Sequence, residues 1–406
     1  MALIIQKYGG TSVANLERIE NVAKRVVRIK EDGHDVVVVL SAMAGETDRL
    51  ISMAQQAAET PDPREFDSLI STGEQVTITL LAIVLNRMGY RAKSFLGSQI
   101  KIHTDDAFTK ARIIDVDDAA MTEEIKRGTI IIVAGFQGIN DRGDITTLGR
   151  GGSDTTAVAL AAALKADACD IYTDVDGVYT TDPRICHNAR RLDRVTYDEM
   201  LEMAFTGAKV LQPRSVELAK KYNVPLYVKS SFTDAGGTFV TMENMGMEKE
   251  VVSGVSCDKD QAKVTIVRVP DSLGIAAQLF LPLAEHGIMV DMIVQNVSTD
   301  GYTDLTFTVS RKEIREAAKI VEEAARNVGA EKVEFDEDVA KVSIIGVGMA
   351  SHSGVAAKMF AIMAREGVNI LMISTSEIKI SCVIRAKYTE LAVSVLHEEF
   401  CMPKES

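Results

Sequence analysis

Residues 80 apart in the second half of the chain match without a gap: Gly274 with Gly354, Ala276 and Ala277 with Ala356 and Ala357, Phe280 with Phe360, Ala284 with Ala364, Gly287 with Gly367, and Met292-Ile293 with Met372-Ile373. Such a repeat means that one supersecondary unit is built twice, and each copy reads strand, helix, strand, strand, helix. The first copy closes with a strand near Lys332-Phe335. The second runs out, because after its last helix (Glu390-Phe400) only the short polar stretch Cys401 to Ser406 follows. A sheet one strand short exposes an edge, so a strand from elsewhere is needed. Val251-Cys257, just before the first copy, is the natural donor. The expectation is one interlocked unit, with 262-338 as the first copy and 251-261 plus 339-406 as the second.

From Ala2 to about Ser231, short apolar runs alternate with helical patterns, the signature of an α/β fold with a mostly parallel central sheet covered on both faces. Ala2-Gln6, Val36-Leu40, Thr129-Ala134, Ala168-Thr173 and Leu226-Ser230 read as buried strands. Val13, Leu16, Ile19, Ala23, Val26 and Val27 fall on one helical face, and further helices are predicted near 47-58, 72-88, 153-165, 196-206 and 209-222. Residues 1-232 are therefore expected to form one domain. Residues 233-250, with Ala-Gly-Gly, three methionines and alternating charges, read as a linker.

A length of 406 residues fits roughly two to four domains. The formal charge of -13 argues against non-specific nucleic-acid binding, so an anionic substrate requires locally placed cations. Cys169, Cys186, Cys257, Cys382 and Cys401 form no C-x-x-C pair, and their odd number favours reduced thiols. The chain enters an apolar strand at once with no signal-peptide pattern, and no uninterrupted apolar run reaches membrane-spanning length. A soluble cytoplasmic protein is expected.

Two segments carry anion chemistry. Gly149-Arg150-Gly151-Gly152-Ser153-Asp154-Thr155 sets a glycine turn and a cation at a helix start, so the amides of Gly152, Ser153 and Asp154 are expected to point at a ligand. The plainer reading makes Ser153 or Asp154 only an N-cap. Lys7-Tyr8-Gly9-Gly10-Thr11-Ser12 ends the first strand and opens the first helix, where open parallel sheets bind ligands. It is neither a Walker A loop nor a G-x-G-x-x-G loop.

Those two motifs, with Ser41-Ala42-Met43 after the second strand and Thr173-Asp174-Val175-Asp176-Gly177-Val178-Tyr179, closely resemble the aspartokinase family of the amino acid kinase superfamily. The tail repeat resembles that family's pair of regulatory ACT domains, and the likeness spans Ala2 to about Phe400. The resemblance implies a three-layer kinase sandwich followed by two interlocked ferredoxin-like (βαββαβ) ACT domains. It implies ATP-dependent phosphorylation of the side-chain carboxylate of L-aspartate to 4-phospho-L-aspartate, the first step toward lysine, threonine and methionine. A carboxylate with pKa near 4 is already a nucleophile at neutral pH, so no general base is required. Positioning and charge neutralisation suffice, and the motif-free His34, His103 and His187 have no catalytic part.

Carried over by that resemblance, Lys7 bridges the attacking carboxylate and the γ-phosphate, Asp154 holds Lys7, and Lys209 reaches the nucleotide phosphates. Tyr8, Gly9, Gly10, Ser41, Thr173, Asp174, Tyr179, Thr180, Thr181, Asp182, Pro183 and Arg184 complete the ATP site. Arg150 grips the substrate α-carboxylate and Glu74 its ammonium, with Thr47, Gly151, Gly152 and Ser153 beside them. Glu74 also fits a capping box, Ser71-Thr72-Gly73-Glu74. ATP is expected with Mg2+ bridging its phosphates and no protein-held metal site. Gln212, in Leu211-Gln212-Pro213-Arg214, departs from the residue expected at that position in relatives.

For regulation, the resemblance implies lysine or threonine or both as effectors. The first copy would use Asp271, Gly274, Ala276, Asp291 and Gln295, and the second Val355, Ala356, Asn369, Ile370 and Ser376. Helix caps and sheet edges are the plainer reading of these positions. A homodimer or tetramer through the ACT domains is expected, with a short regulatory subunit if translation also starts at Met242, Met245 or Met247. Four rival readings are weaker. A dehydrogenase would use Gly346-Val347-Gly348-Met349-Ala350-Ser351, but its third glycine is missing and the sister copy has no such glycines. A calcium loop at Asp174-Val175-Asp176-Gly177 lacks the remaining ligands. A silent amino-acid sensor would not need Lys7, Arg150, Asp154 and Lys209 together, and a kinase for glutamate or acetylglutamate would lack the tail repeat.

Overall fold

The computed structural model describes residues 1-208, 210-242, 251-296 and 300-402. Lys209, Met245 and Met247 lie outside the described residues. The chain divides into two compact units. Unit 1 takes Met1–Tyr179, Arg191–Ala204 and the described residues from 210 to 242, and unit 2 takes Thr180–Arg190, Phe205–Ala208 and the described residues from 251 on.

Unit 1 contains the strands β1 Leu3–Tyr8, β2 Asp35–Leu40, β3 Ala92–Phe95, β4 Ile102–Thr104, β5 Ile113–Val116, β6 Ile130–Ala134, β7 Gln137–Ile139, β8 Ile145–Thr147, β9 Ala168–Thr173, β10 Arg194–Thr196, β11 Leu226–Ser230 and β12 Thr238–Thr241. Its helices are α1 Leu16–Glu31, α2 Glu46–Ala57, α3 Pro63–Ile70, α4 Thr72–Arg87, α5 Ala119–Lys126, α6 Gly152–Ala163, α7 Tyr197–Phe205 and α8 Pro213–Tyr222. Eight strands form one sheet in the order β10-β12-β11-β9-β1-β2-β6-β3, parallel except where β11 meets β12. β2 (Asp-Val-Val-Val-Val-Leu) is buried at every position, as a parallel strand covered on both faces must be. A smaller sheet follows the order β5-β4-β7-β8.

Three details depart from the sequence reading. Leu16 is exposed at the start of α1, while Val22 takes a place in the buried stripe with Ile19, Ala23, Val26 and Val27; the first turn precedes the part of the helix that meets the sheet. Thr238–Thr241, inside the stretch read as linker, is a strand, because its Thr-Phe-Val-Thr alternates a buried with a half-buried face and pairs β11. Pro63–Arg87 is long and apolar enough by composition to cross a membrane, but more than half of its most apolar window is buried inside the protein, as two helices packed in the core.

Unit 2 is an antiparallel sheet built on two long strands, β13 Gly254–Pro270 and β16 Lys332–Ile345. With β14 Val290–Gln295, β15 Tyr302–Ser310, β17 Ile370–Thr375 and β18 Lys379–Arg385 it runs β14-β15-β13-β16-β18-β17. Gly254–Asp258 pairs with Ile345–Lys341, whereas Lys263–Val267 pairs with Asp336–Lys332. The donor segment and the opening strand of the first copy are thus one strand. No glycine or proline interrupts 255-269, and register shifts near Asp258 and Gln261 absorb the change of half. α9 Ile275–Glu285 and α10 Ile314–Val328 cover one core around Val264, Leu279 and Phe307. α11 Val355–Arg365 and α12 Thr389–Cys401 cover a second around Ile344, Met359 and Leu396. Gly274 and Gly354 both cap their helices in left-handed conformation (φ 85° and 91°), so the repeat is also a repeat of backbone geometry.

Candidate active site

The carboxyl ends of β1, β2 and β9 lie side by side in the unit 1 sheet, β1 in the middle, which gathers their loops at the edge where α/β sheets bind ligands. Lys7, near the end of β1, meets Asp154 in the first turn of α6 at 2.5 Å, and both side chains are largely buried. The helix N-terminus favours the aspartate charge, and the aspartate fixes the ammonium. A Cβ on Gly9 would stand 3.6 Å from Lys7 Nζ, and one on Gly10 would stand 2.8 Å from the Ala42 carbonyl oxygen. Glycine is required at position 10 because the β1 loop presses against the chain that follows β2, where the Ser41 amide donates to the Tyr8 carbonyl at 3.1 Å.

Glu74 in α4 is buried. One carboxylate oxygen accepts the Ala42 amide at 3.0 Å, and the other has no partner among the described residues. Burial pushes its pKa up to about 7. The capping box is therefore not formed: Ser71 donates to the Ser68 carbonyl instead, and Glu74 turns toward the β2 loop. An inward carboxylate with one open oxygen suits a cation.

The glycine turn is Gly149 to Gly152, with Gly149 and Gly151 both in left-handed conformation. Gly151 is the N-cap of α6, so neither Ser153 nor Asp154 is the cap. The Gly152 amide is not free for a ligand, since it closes the turn onto the Gly149 carbonyl at 3.0 Å. Arg150 is exposed and makes no hydrogen bond or ion pair with the described residues. Gln212 explains the glycine at 151, because a Cβ there would fall 1.8 Å from the Gln212 Cγ.

The predicted nucleotide residues are not all brought together. The Tyr8 side chain points into the core, stacked on Tyr172 at 4.6 Å, so only its backbone is available to a ligand. Thr173 donates to Asp174, and Tyr179 to Asp176. Residues 180-184 belong to unit 2, where Thr180 is buried, bonds His397 Nε2 at 2.8 Å, and accepts the Val255 amide on its carbonyl at 2.7 Å. Thr181 is buried as well, Asp182 pairs with Arg184 at 2.8 Å, and Pro183 is exposed. Thr47 and Ser41 are half-buried near the β2 loop, and Ser153 is buried.

Of the predicted effector residues, Asp271, Gly274, Ala276, Gln295, Asn369 and Ser376 are exposed, and Ala356 and Ile370 are half-buried. Val355 packs in the second core, where its side chain meets helix and sheet rather than solvent. Asp291 is already ion-paired with Lys341, a buried lysine that needs a counter-charge. Among the described residues no three His, Cys, Asp or Glu side chains converge as a metal would require. Asp67, Phe136 and Arg214 were not singled out in the sequence. Their roles lie in backbone contacts, and only the Asp62-Pro63 start of α3, where Asp62 caps the amides of Arg64 and Glu65, could have drawn attention to Asp67.

Residues 2–230 match the amino acid kinase family, and 264–325 with 342–400 match the ACT domain. The chain is 56% identical over 402 residues to the aspartokinase of Pseudomonas aeruginosa, covering 98% of each. It resembles the crystal structure of E. coli aspartokinase III in complex with aspartate and ADP (R-state) at a TM-score of 0.82 and 27% identity, covering 98% of this chain and 100% of the other. The same enzyme with lysine and aspartate (T-state) gives 0.77 at 27% identity with the same coverage.

Proposed function

The chain belongs to the aspartokinase family, and from that premise we propose which of its residues carry the transfer of phosphate from ATP to the side-chain carboxylate of aspartate. The observation that carries the assignment is the Lys7–Asp154 pair at 2.5 Å, set where the β1 loop meets the start of α6. Lys7 spans the attacking carboxylate and the γ-phosphate and offsets their mutual repulsion. Asp154 holds the ammonium in line. A carboxylate oxygen of aspartate attacks the γ-phosphorus, the bond to the β–γ bridging oxygen breaks, and its electron pair leaves with ADP; no proton moves. Gly9 and Gly10 allow the phosphates to approach the backbone, and Lys209 neutralises the leaving charge. A Mg2+ ion would arrive on the ATP phosphates and offset their charge.

Aspartate is held at both ends. Arg150, unpartnered among the described residues, takes the α-carboxylate, and the open oxygen of Glu74 takes the ammonium. Thr47, Ser153 and the Gly151-Gly152 turn close around it, while Ser41, Thr173, Asp174 and Tyr179 serve the nucleotide. Lysine or threonine or both bind unit 2 at the matching Gly274 and Gly354 helix starts, in keeping with the lysine complex of E. coli aspartokinase III. Ile293 and Ile373, exposed on the two edge strands β14 and β17, favour a dimer through this unit. The catalytic domain then extends through Thr241, the ACT halves divide near 261 and 338, and the enzyme works in the cytoplasm. An internal start at Met242, Met245 or Met247 supplies a second, regulatory product, which two polypeptide sizes from the intact gene would reveal.

A hydroxylamine trap for acyl phosphate tests the substrate assignment. With ATP and Mg2+ present, aspartate gives hydroxamate and glutamate or N-acetylglutamate does not. Turnover of glutamate in preference to aspartate would overturn it.

A further inference from the structure

Thr147 and Leu148, which lead into the turn bearing Arg150, are gripped by two charged side chains from distant parts of unit 1. Asp67, fully buried in α3, accepts the Thr147 amide at 2.8 Å and the Thr147 hydroxyl at 2.7 Å. It also accepts the Thr109 amide at 2.8 Å, although Thr109 sits in the left-handed region (φ 67°) that a β-branched residue rarely adopts. Arg214, in the first turn of α8, donates to the Leu148 carbonyl at 2.9 Å and to the Ala111 carbonyl at 2.7 Å. The Leu148 amide is held in turn by the carbonyl of Phe136, another left-handed non-glycine residue (φ 70°). A Cβ on Gly149 would stand 3.1 Å from the Thr109 oxygen, so the strained loop is the floor of the turn.

No cation pairs with Asp67 among the described residues. Burying a carboxylate without a counter-charge is costly, and a neutral residue would fill the same space. Strained backbone and a buried charge gathered around one short turn mark a geometry that is held for use. We propose that Asp67 and Arg214 are positioning residues for substrate recognition: by fixing Thr147 and Leu148 they present the Arg150 guanidinium at one place for the α-carboxylate of aspartate. This rests on the assignment of Arg150 to that carboxylate.

Steady-state kinetics of Asp67→Asn, Arg214→Ala, Arg214→Lys and Arg150→Ala test it, together with the double variant Asp67→Asn/Arg150→Ala. Asp67→Asn and Arg214→Ala each raise KM for aspartate about tenfold, with kcat and KM for ATP changed less than about threefold. Arg214→Lys, which can reach one of the two carbonyls, lies between wild type and Arg214→Ala. In the Arg150→Ala background Asp67→Asn adds less than about twofold, because it acts through Arg150. Wild-type KM for aspartate in both single variants, full multiplication of the two effects in the double variant, or an equal loss in KM for ATP would each overturn the inference. Arg150→Ala with an unchanged KM for aspartate would instead remove the carboxylate assignment on which it rests.

Discussion

If Glu74 takes the substrate ammonium as proposed, it trades stability for recognition. Its carboxyl is pushed up to about 7 by burial, so the folded protein holds this proton more tightly than the unfolded chain does. Stability without substrate therefore falls as pH rises from the ordinary carboxylate range to about 7, by an amount on the order of 3 kcal/mol, and levels off above. Glu74→Gln removes that slope, which melting temperature against pH will report. Recognition runs the other way: only ionised Glu74 can take an ammonium, so kcat/KM for aspartate declines as pH drops below about 7, and Glu74→Gln loses roughly 100-fold above that pH, a deficit that shrinks as the wild-type carboxyl takes up its proton. A flat pH profile for kcat/KM would contradict the ammonium role. Gly151 is a second case. Gly151→Ala both strains a left-handed residue and drives a methyl into Gln212, so KM for aspartate rises, and Gln212→Gly, which also removes the Cβ 2.5 Å away, restores only the steric part. The Lys7–Asp154 pairing was legible in the sequence because motif order exposes both residues. The contacts of Asp67 and Arg214 were not, since what they touch is backbone brought near by the fold.

At the scale of elements, buried strands were legible where apolar runs were continuous, as in β2 and β6. The short pieces β4, β5, β7 and β8 were not, because three or four residues carry too little periodicity to separate from loop. The repeat located the second half correctly as two related units, but it could not show that two strands run unbroken through both. That continuity follows from a missing turn signal between Cys257 and Ala262. Elsewhere the sheet tolerates no added side chain: a Cβ on Gly207 would meet the Cys257 carbonyl oxygen at 2.0 Å, at a φ of 116°. Gly207→Ala should therefore destabilise unit 2 by about 2 kcal/mol or more, read from its melting transition. A variant as stable as wild type would show that 205-208 does not pack on β13.

At the scale of the whole molecule, the two units have separate cores, one around the parallel sheet and two beneath the helix pairs of the antiparallel sheet. Ile293→Lys with Ile373→Lys places charge on both exposed edge strands and should shift the protein toward monomer in sedimentation, with inhibition by lysine or threonine weakened and uninhibited kcat largely kept. An unchanged sedimentation coefficient would remove those edges from the interface. If the Lys7–Asp154 pair carries the transfer, single-turnover phosphoryl transfer by Lys7→Met, with enzyme in excess of ATP and aspartate saturating, will report its loss. The rate should fall by about 1,000-fold or more while the melting temperature and aspartate binding stay near wild type. Transfer at the wild-type rate would contradict it.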